Sequence, residues 1–242
     1  MSSADCSIGK SSKTGYSYVL SLAKSDKEHL EKFKKDINFN GNINICNRYK
    51  KNNTKKLEIY KIYSTATLRI TCKKWDEDLK NNFNIIPNKT KIMTPPNFGS
   101  DELALAFFMG YIDGDGCICL TKEARDNKYS LIIKFCSSSF NTIKWIKDLI
   151  ERLFSNKNFA FRKTTRNISV SPNNKYYSYA IVGLKALIIF NYLKDLNVPK
   201  MARKWTQPKL LEFLQEQKLK YPQYFQPLIY ENSSFSISQN PS

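Results

Sequence analysis

The chain has 242 residues, 41% hydrophobic and 13% aromatic, enough apolar surface for one large core or two small ones, which excludes a disordered chain. Lysine and arginine number 39 against 21 acidic residues, a formal net charge of +18; that balance points to a polyanionic partner, nucleic acid first, over a basic surface kept only for solubility. Met1 to Asp5 lack the apolar run of a signal peptide, and the longest apolar stretch, Leu103 to Ile112, is about half the roughly 20 residues that span a bilayer, so an intracellular protein with no membrane partner is expected.

The chain reads as two similar halves. Residues 16–24 alternate, with Tyr16, Tyr18, Leu20 and Leu22 on one face, the period of a strand with one buried side. Ser25-Asp26 caps a helix in which Leu30, Phe33 and Ile37 recur at helical spacing. Asn40-Gly41 breaks the chain, residues 42–50 and 58–71 form a strand pair, and Trp75 to Phe83 a short helix. Pro95 to Ser100 punctuates the junction. A helix over Asp101 to Ile112 leads the second half, then strands near 117–121 and 129–136, a helix over Phe140 to Phe154, strands near 158–170 and 175–183, and a helix over Lys185 to Leu196. A helix over Gln207 to Lys220 ends the fold, and residues 221–242 are expected to be loosely packed. Tyr16 to Ser25 matches Tyr129 to Ser138 in pattern at a constant offset of 113, the distance from Tyr16 to Tyr129. The same offset lays Asp26 to Ile37 over Ser139 to Ile150, and Ile86 to Lys91 echoes Val198 to Lys204. Agreement of period, order and punctuation favours a pseudo-duplication over convergence of composition.

One strand carries two different faces. Ile62, Ala66, Leu68 and Ile70 fall on one side; Lys61, Tyr63, Thr65, Thr67 and Arg69 fall on the other. Asn44, Arg48 and Lys50 join the polar side from the neighbouring strand, and Lys134 stands in the matching strand of the second half. Such a sheet suits a core below and DNA above, since a major groove admits β-ribbons with long donors; an ordinary solvated face is the competing reading. The six cysteines, Cys6, Cys46, Cys72, Cys117, Cys119 and Cys136, form no CxxC pair, and the lone histidine, His29, lies on a polar helical face. Buried free thiols are therefore expected, not zinc ligands, and hydrolysis through a histidine base is not expected.

The decisive stretch is Phe107-Phe108-Met109-Gly110-Tyr111-Ile112-Asp113-Gly114-Asp115-Gly116-Cys117-Ile118. It is an apolar helix with small residues Ala104, Ala106 and Gly110 for close packing, then two aspartates among glycines that allow turn geometry at the helix end. A carboxylate presented there can hold a divalent metal against a phosphate; a simple helix-end aspartate is the alternative. Phe108 to Gly116 resembles the LAGLIDADG motif of homing endonucleases and maturases. That resemblance covers about residues 1–220 and implies an α/β (α+β) fold of two pseudo-symmetric αββαββα repeats forming a DNA-binding β-saddle. It divides the chain into residues 1–97, a first repeat with its leading helix truncated, residues 98–220, a second repeat, and the tail 221–242.

By the same resemblance Asp115 is the catalytic acid and Asp113 a more structural one. Asp5 matches Asp115 in the first copy, with Cys6 in place of the glycine, but the apolar helix is missing before it, and Asp5 to Tyr16 spans three fewer steps than Asp115 to Tyr129. Lys89 and Lys204 resemble lysines that family members bring near the scissile phosphate. The implied function is site-specific cleavage of double-stranded DNA at a long asymmetric target, by a monomer, with Asp5 and Asp115 sharing magnesium or another divalent cation. Two alternatives stand beside it: an RNA maturase acting on its host intron RNA, and a non-catalytic DNA-binding relic. Enrichment in Lys, Asn and Ile suggests an AT-rich genome, such as that of a mitochondrion or chloroplast.

Overall fold

The computed structural model describes residues 6–11, 15–54, 57–87, 91–122, 128–154, 168–173 and 175–225. The first half contributes β1 (Cys6–Ser11), β2 (Gly15–Ala23), a 3-10 turn (Lys24–Asp26), α1 (Lys27–Asp36), β3 (Ile43–Thr54), β4 (Leu57–Ile70) and α2 (Lys73–Phe83). The second contributes α3 (Asp101–Asp115), β5 (Gly116–Lys122), β6 (Tyr129–Ser137), α4 (Phe140–Phe154), β7 (Ser169–Val170), β8 (Tyr177–Val182) and α5 (Leu184–Asp195). Two helices follow, α6 (Ala202–Trp205) and α7 (Pro208–Lys220). The first sheet runs β1-β2-β4-β3 and the second β5-β6-β8-β7, all neighbours antiparallel. The same order twice is the pseudo-duplication read from the sequence. None of the described helices is long and apolar enough to cross a membrane.

Alternation decides which face is buried. Tyr18, Leu20 and Leu22 on β2 and Ala66, Leu68 and Ile70 on β4 meet Leu30 of α1 and Leu79 of α2 in one core. Leu131, Ile133 and Phe135 on β6 and Tyr179 and Ile181 on β8 meet α3, α4 and α5 in a second, larger core. α4 is strongly amphipathic, turning Ile143, Ile146, Leu149 and Ile150 inward. Each fully buried Leu, Ile or Phe contributes about 1.5–3 kcal/mol relative to exposure.

Several expectations change. The alternation puts Ile62 with the core residues of β4, yet it is 58% exposed; it lies where β3 and β4 run on beyond the Thr65–Ile70 stretch that pairs with β2. The strand expected at 158–170 is described only at Ser169–Val170, and the rest of that span lies outside the described residues. Residues Pro222–Phe225 form a 3-10 turn, with Phe225 against the second core; the rest of the tail lies outside the described residues. The thiols are not a buried set: Cys6 alone is buried, Cys46, Cys72 and Cys117 are exposed, and Cys119 and Cys136 are half-buried. Cys117 pairs with Lys134, and Cys119 with Ile132, on the open phase of the second sheet. Burial, and then the adjacent Cys117, push the Cys119 thiol up.

Candidate nucleic-acid interface and carboxylate site

The open face of the first sheet is set by register. Directly opposed residues of an antiparallel pair share a face. Asn44 stands opposite Thr67, Arg48 opposite Tyr63 and Lys50 opposite Lys61. Arg69 is exposed and Tyr63 is 41% exposed, whereas Thr65 and Thr67 are half-buried. Ser21 on β2 comes within 3.2 Å of the Thr67 hydroxyl. Lys134 is exposed on β6, between Cys117 of β5 and Ala180 of β8. The expected polar set therefore shares one phase in the first sheet, and Lys134 holds the corresponding phase in the second. Charge is segregated as well. The eight described strands carry Lys10, Arg48, Lys50, Lys51, Lys61, Arg69, Lys122 and Lys134 against a single acid, Glu58; of these cations Arg48, Lys50, Lys61, Arg69 and Lys134 stand in the open phase. Acids lie on helices, where Glu28, Glu31, Glu77, Asp148 and Glu151 pair with lysines one turn away.

α3 runs to Asp115, three residues past the Ile112 at which the sequence pattern ends it. The helix is capped at its start by Ser100, whose hydroxyl accepts the Leu103 N–H at 3.3 Å. At its end no left-handed glycine is used. Gly116 is extended (φ −77°, ψ 154°). Its need is space: a Cβ there would lie 2.6 Å from Ile112 Cα and 2.7 Å from Ile112 O. The chain therefore doubles from helix into β5 within one residue and leaves Asp115 exposed at the strand entrance. Burial, with the Asp115 charge adding to it, pushes the Tyr111 phenol well above its ordinary value, so Tyr111 stays a donor to Cys136 O at 3.1 Å.

Asp113 has the opposite fate. It is 1% exposed. Its Oδ2 accepts the Met201 N–H at 2.9 Å and its Oδ1 the Trp205 Nε1–H at 2.7 Å. His29 of α1 brings Nε2 to 3.9 Å from the same carboxylate, so His29 is tucked against the second half instead of lying on a solvated face. Burial lowers the His29 pKa, and Asp113 opposes that shift only in part. Nδ1 of His29 is buried and has no hydrogen-bond partner among the described residues.

The turn from Met201 to Trp205 joins these groups. Met201 packs in the first core and Trp205 in the second, stacked on Phe190 with centroids 5.2 Å apart. Arg203 Nε donates to Asp26 Oδ2 at 2.6 Å. The sequence pattern makes Asp26 the cap of α1, but its side chain makes no cap bond; it is buried and takes Arg203 instead. Lys204 is buried, with Nζ 2.9 Å from Ile112 O, 2.9 Å from Gly114 O and 2.8 Å from Gly116 O. The reverse clasp comes from the linker, where Met93 O accepts the hydroxyls of Ser139 (2.5 Å) and Thr142 (3.0 Å) at the start of α4. Sequence reasoning misses Asp26, His29, Met93 and Trp205 as contacts between halves. The echo of Ile86–Lys91 in Val198–Lys204 is the one signal that marks these segments.

Asp5 and Lys89 lie outside the described residues. The register after Asp5 nevertheless bears on its match to Asp115. Cys6 pairs with Leu20, whereas Ile133, the counterpart of Leu20 at the 113 offset, pairs with Ile118. Cys6 thus corresponds in register to Ile118, two residues beyond Gly116, and both are core residues. That assignment also removes the difficulty of a cysteine Cβ at a place where Gly116 tolerates none.

No protein-family model and no curated protein matches the chain. Solved structures do. A double mutant of I-SmaMI is similar at 13% identity, covering 92% of each chain, with a TM-score of 0.52. The homing endonuclease I-WcaI bound to its DNA recognition sequence is similar at 14% identity over 84% of this chain and 81% of that one, with a TM-score of 0.51. The LAGLIDADG homing endonuclease I-LtrWI, bound to target DNA, reaches 16% identity over 93% and 89% at a TM-score of 0.48. At such identities the likeness is one of architecture, and the architecture of this chain is the LAGLIDADG homing-endonuclease fold.

Proposed function

We propose that the protein is a site-specific DNA endonuclease that binds duplex DNA across the open faces of its two sheets and hydrolyses a phosphodiester bond at Asp115. The observation that carries this reading is the placement of Asp115, an exposed carboxylate at the sharp junction of α3 and β5, beside strands whose charges are almost all positive. Asn44, Tyr63, Thr65, Thr67, Arg69 and Lys134 meet DNA in this reading, with Lys61, Arg48 and Lys50 continuing the same phase along β3 and β4. Two similar but unequal sheets suit a long asymmetric target bound by a monomer.

Among the described residues no group of three or more His, Cys, Asp or Glu side chains could hold a metal by itself. That fits magnesium, which binds through one or two carboxylates and otherwise keeps water and phosphate oxygens. Asp115 would hold it, and a bound cation would supply charge neutralisation at the phosphate and an activated water. The protein's own part is to fix the carboxylate, through the Gly116 junction and the Asp113 anchor, and to hold the duplex over it.

The register of β1 favours a second reading, in which the first half lacks a working carboxylate and the protein nicks one strand or binds DNA without cutting. Supercoiled plasmid carrying the target separates these. Linear product in magnesium supports the double-strand enzyme, open circles alone support nicking, and binding without any product supports the non-catalytic form. Tight binding to intron RNA with none to DNA would favour a maturase.

A further inference from the structure

The resemblance casts Lys204 as a lysine that meets the scissile phosphate. The structure assigns it a different role: Lys204 is a positioning residue that locks the Asp115 turn and does not touch DNA. An ammonium has three N–H donors. Those of Lys204 have three carbonyl acceptors within 2.9 Å, on Ile112, Gly114 and Gly116, so no donor remains for a phosphate. These carbonyls bracket Asp115 on both sides. They lie at the C-terminal end of α3, where the helix carries the negative end of its dipole and where Gly114 is among the last residues, whose carbonyls lack intrahelical partners; Ile112 O also accepts the Gly116 N–H, and Gly116 opens β5. A buried cation there satisfies both demands with one side chain.

The neighbours of Lys204 fix it in turn. Met201 N–H and Trp205 Nε1–H are held by Asp113, and Arg203 is held by Asp26. Lys204 therefore connects both cores to the one backbone turn that aims the Asp115 carboxylate. A carboxylate that wanders by about 1 Å costs roughly a hundredfold in rate. The role in catalysis rests on the endonuclease reading; the role in holding the turn does not.

The test uses the full chain and two variants. Lys204→Met keeps the aliphatic stem and removes every donor; Lys204→Arg keeps the charge but cannot aim three donors at three convergent carbonyls. Cleavage is measured in magnesium, DNA affinity in calcium across a salt series, and amide hydrogen exchange over residues 112–117. Lys204→Met is expected to cleave about a hundredfold more slowly, to bind DNA with an unchanged salt slope, and to exchange faster over 112–117. Lys204→Arg should recover part of the rate, again with the slope unchanged. If Lys204→Met does not fold, Lys204→Arg decides by the same three readouts. A salt slope that falls by about 0.9, one phosphate's worth, overturns the proposal, because Lys204 then meets DNA. Unchanged exchange at 112–117 overturns it as well. A wild-type protein that binds DNA yet cuts nothing refutes the endonuclease reading, and exchange still decides whether Lys204 holds the turn.

Discussion

Two aspartates two residues apart, Asp113 and Asp115, show how burial divides work within a motif. Asp113 accepts two hydrogen bonds where water cannot replace them, so Asp113→Ala strands two buried donors and should cost about 3 kcal/mol in stability, read as a drop in Tm. Asp115 is exposed, so Asp115→Asn should leave Tm nearly unchanged. It should abolish cleavage in magnesium while DNA affinity in calcium holds or rises, since a carboxylate near phosphate repels it when no metal is bound. Full cleavage by Asp115→Asn would defeat the proposed function. His29 adds a pH response. Its folded pKa lies below the ordinary value of about 6.5, burial being the larger cause, so the folded state favours the neutral ring. That contribution is complete above the ordinary pKa and is lost as pH falls through the folded value. Tm should therefore decline on going from neutral to mildly acidic pH, and His29→Gln should flatten the decline; an equal decline in the variant removes His29 as its source.

At the scale of elements, legibility follows periodicity. The alternation of β2 and β4 and the helical spacing of α1 and α4 are readable because each element buries one face against a core. Asp115 is readable because the motif is local. What fails is non-local. The sequence pattern ends α3 at Ile112 and gives the glycines the task of turning the chain, but Gly116 is required by its distance to Ile112, which only the fold defines. The cysteines read as core residues, yet Cys46 and Cys117 face outward from strands whose other side is filled. The lysine in the Val198–Lys204 echo is legible as functional, but its acceptors lie about 90 residues earlier in the chain. Gly116→Ala should open the α3–β5 junction, at about 1–3 kcal/mol as an overpacked site, and slow cleavage along with it; an unchanged Tm would mean that the junction relaxes freely. On β4, Arg69→Ala should either relax the preference at one base position, if Arg69 reads an edge, or weaken binding to all sequences, if it meets a phosphate. No change in affinity or preference would take β4 out of the interface.

At the scale of the whole molecule, the +18 charge becomes informative only once its distribution is known. Exposed helix-surface ion pairs are worth little to stability, about 0.3–0.5 kcal/mol each, but they keep the acids off the sheets. Glu28, Glu31, Glu77, Asp148 and Glu151 each sit one turn from a lysine, while the eight described strands hold one acid, Glu58. Five of the eight cations on the described strands, Arg48, Lys50, Lys61, Arg69 and Lys134, stand in the phase that the register leaves open. DNA laid there displaces counterions, and log affinity should fall linearly with log salt at roughly −0.9 per phosphate neutralised. The net charge of the chain does not set that slope; the number of strand lysines and arginines within reach does. Removing one strand cation, as in Lys134→Ala, should reduce the slope by about 0.9 if it meets a phosphate. Removing a helix-paired one, as in Lys32→Ala, should leave the slope unchanged, although both variants lower the net charge equally. Affinity measured at several salt concentrations for the two variants checks this, and equal slopes would mean that the sheets are not the DNA footprint.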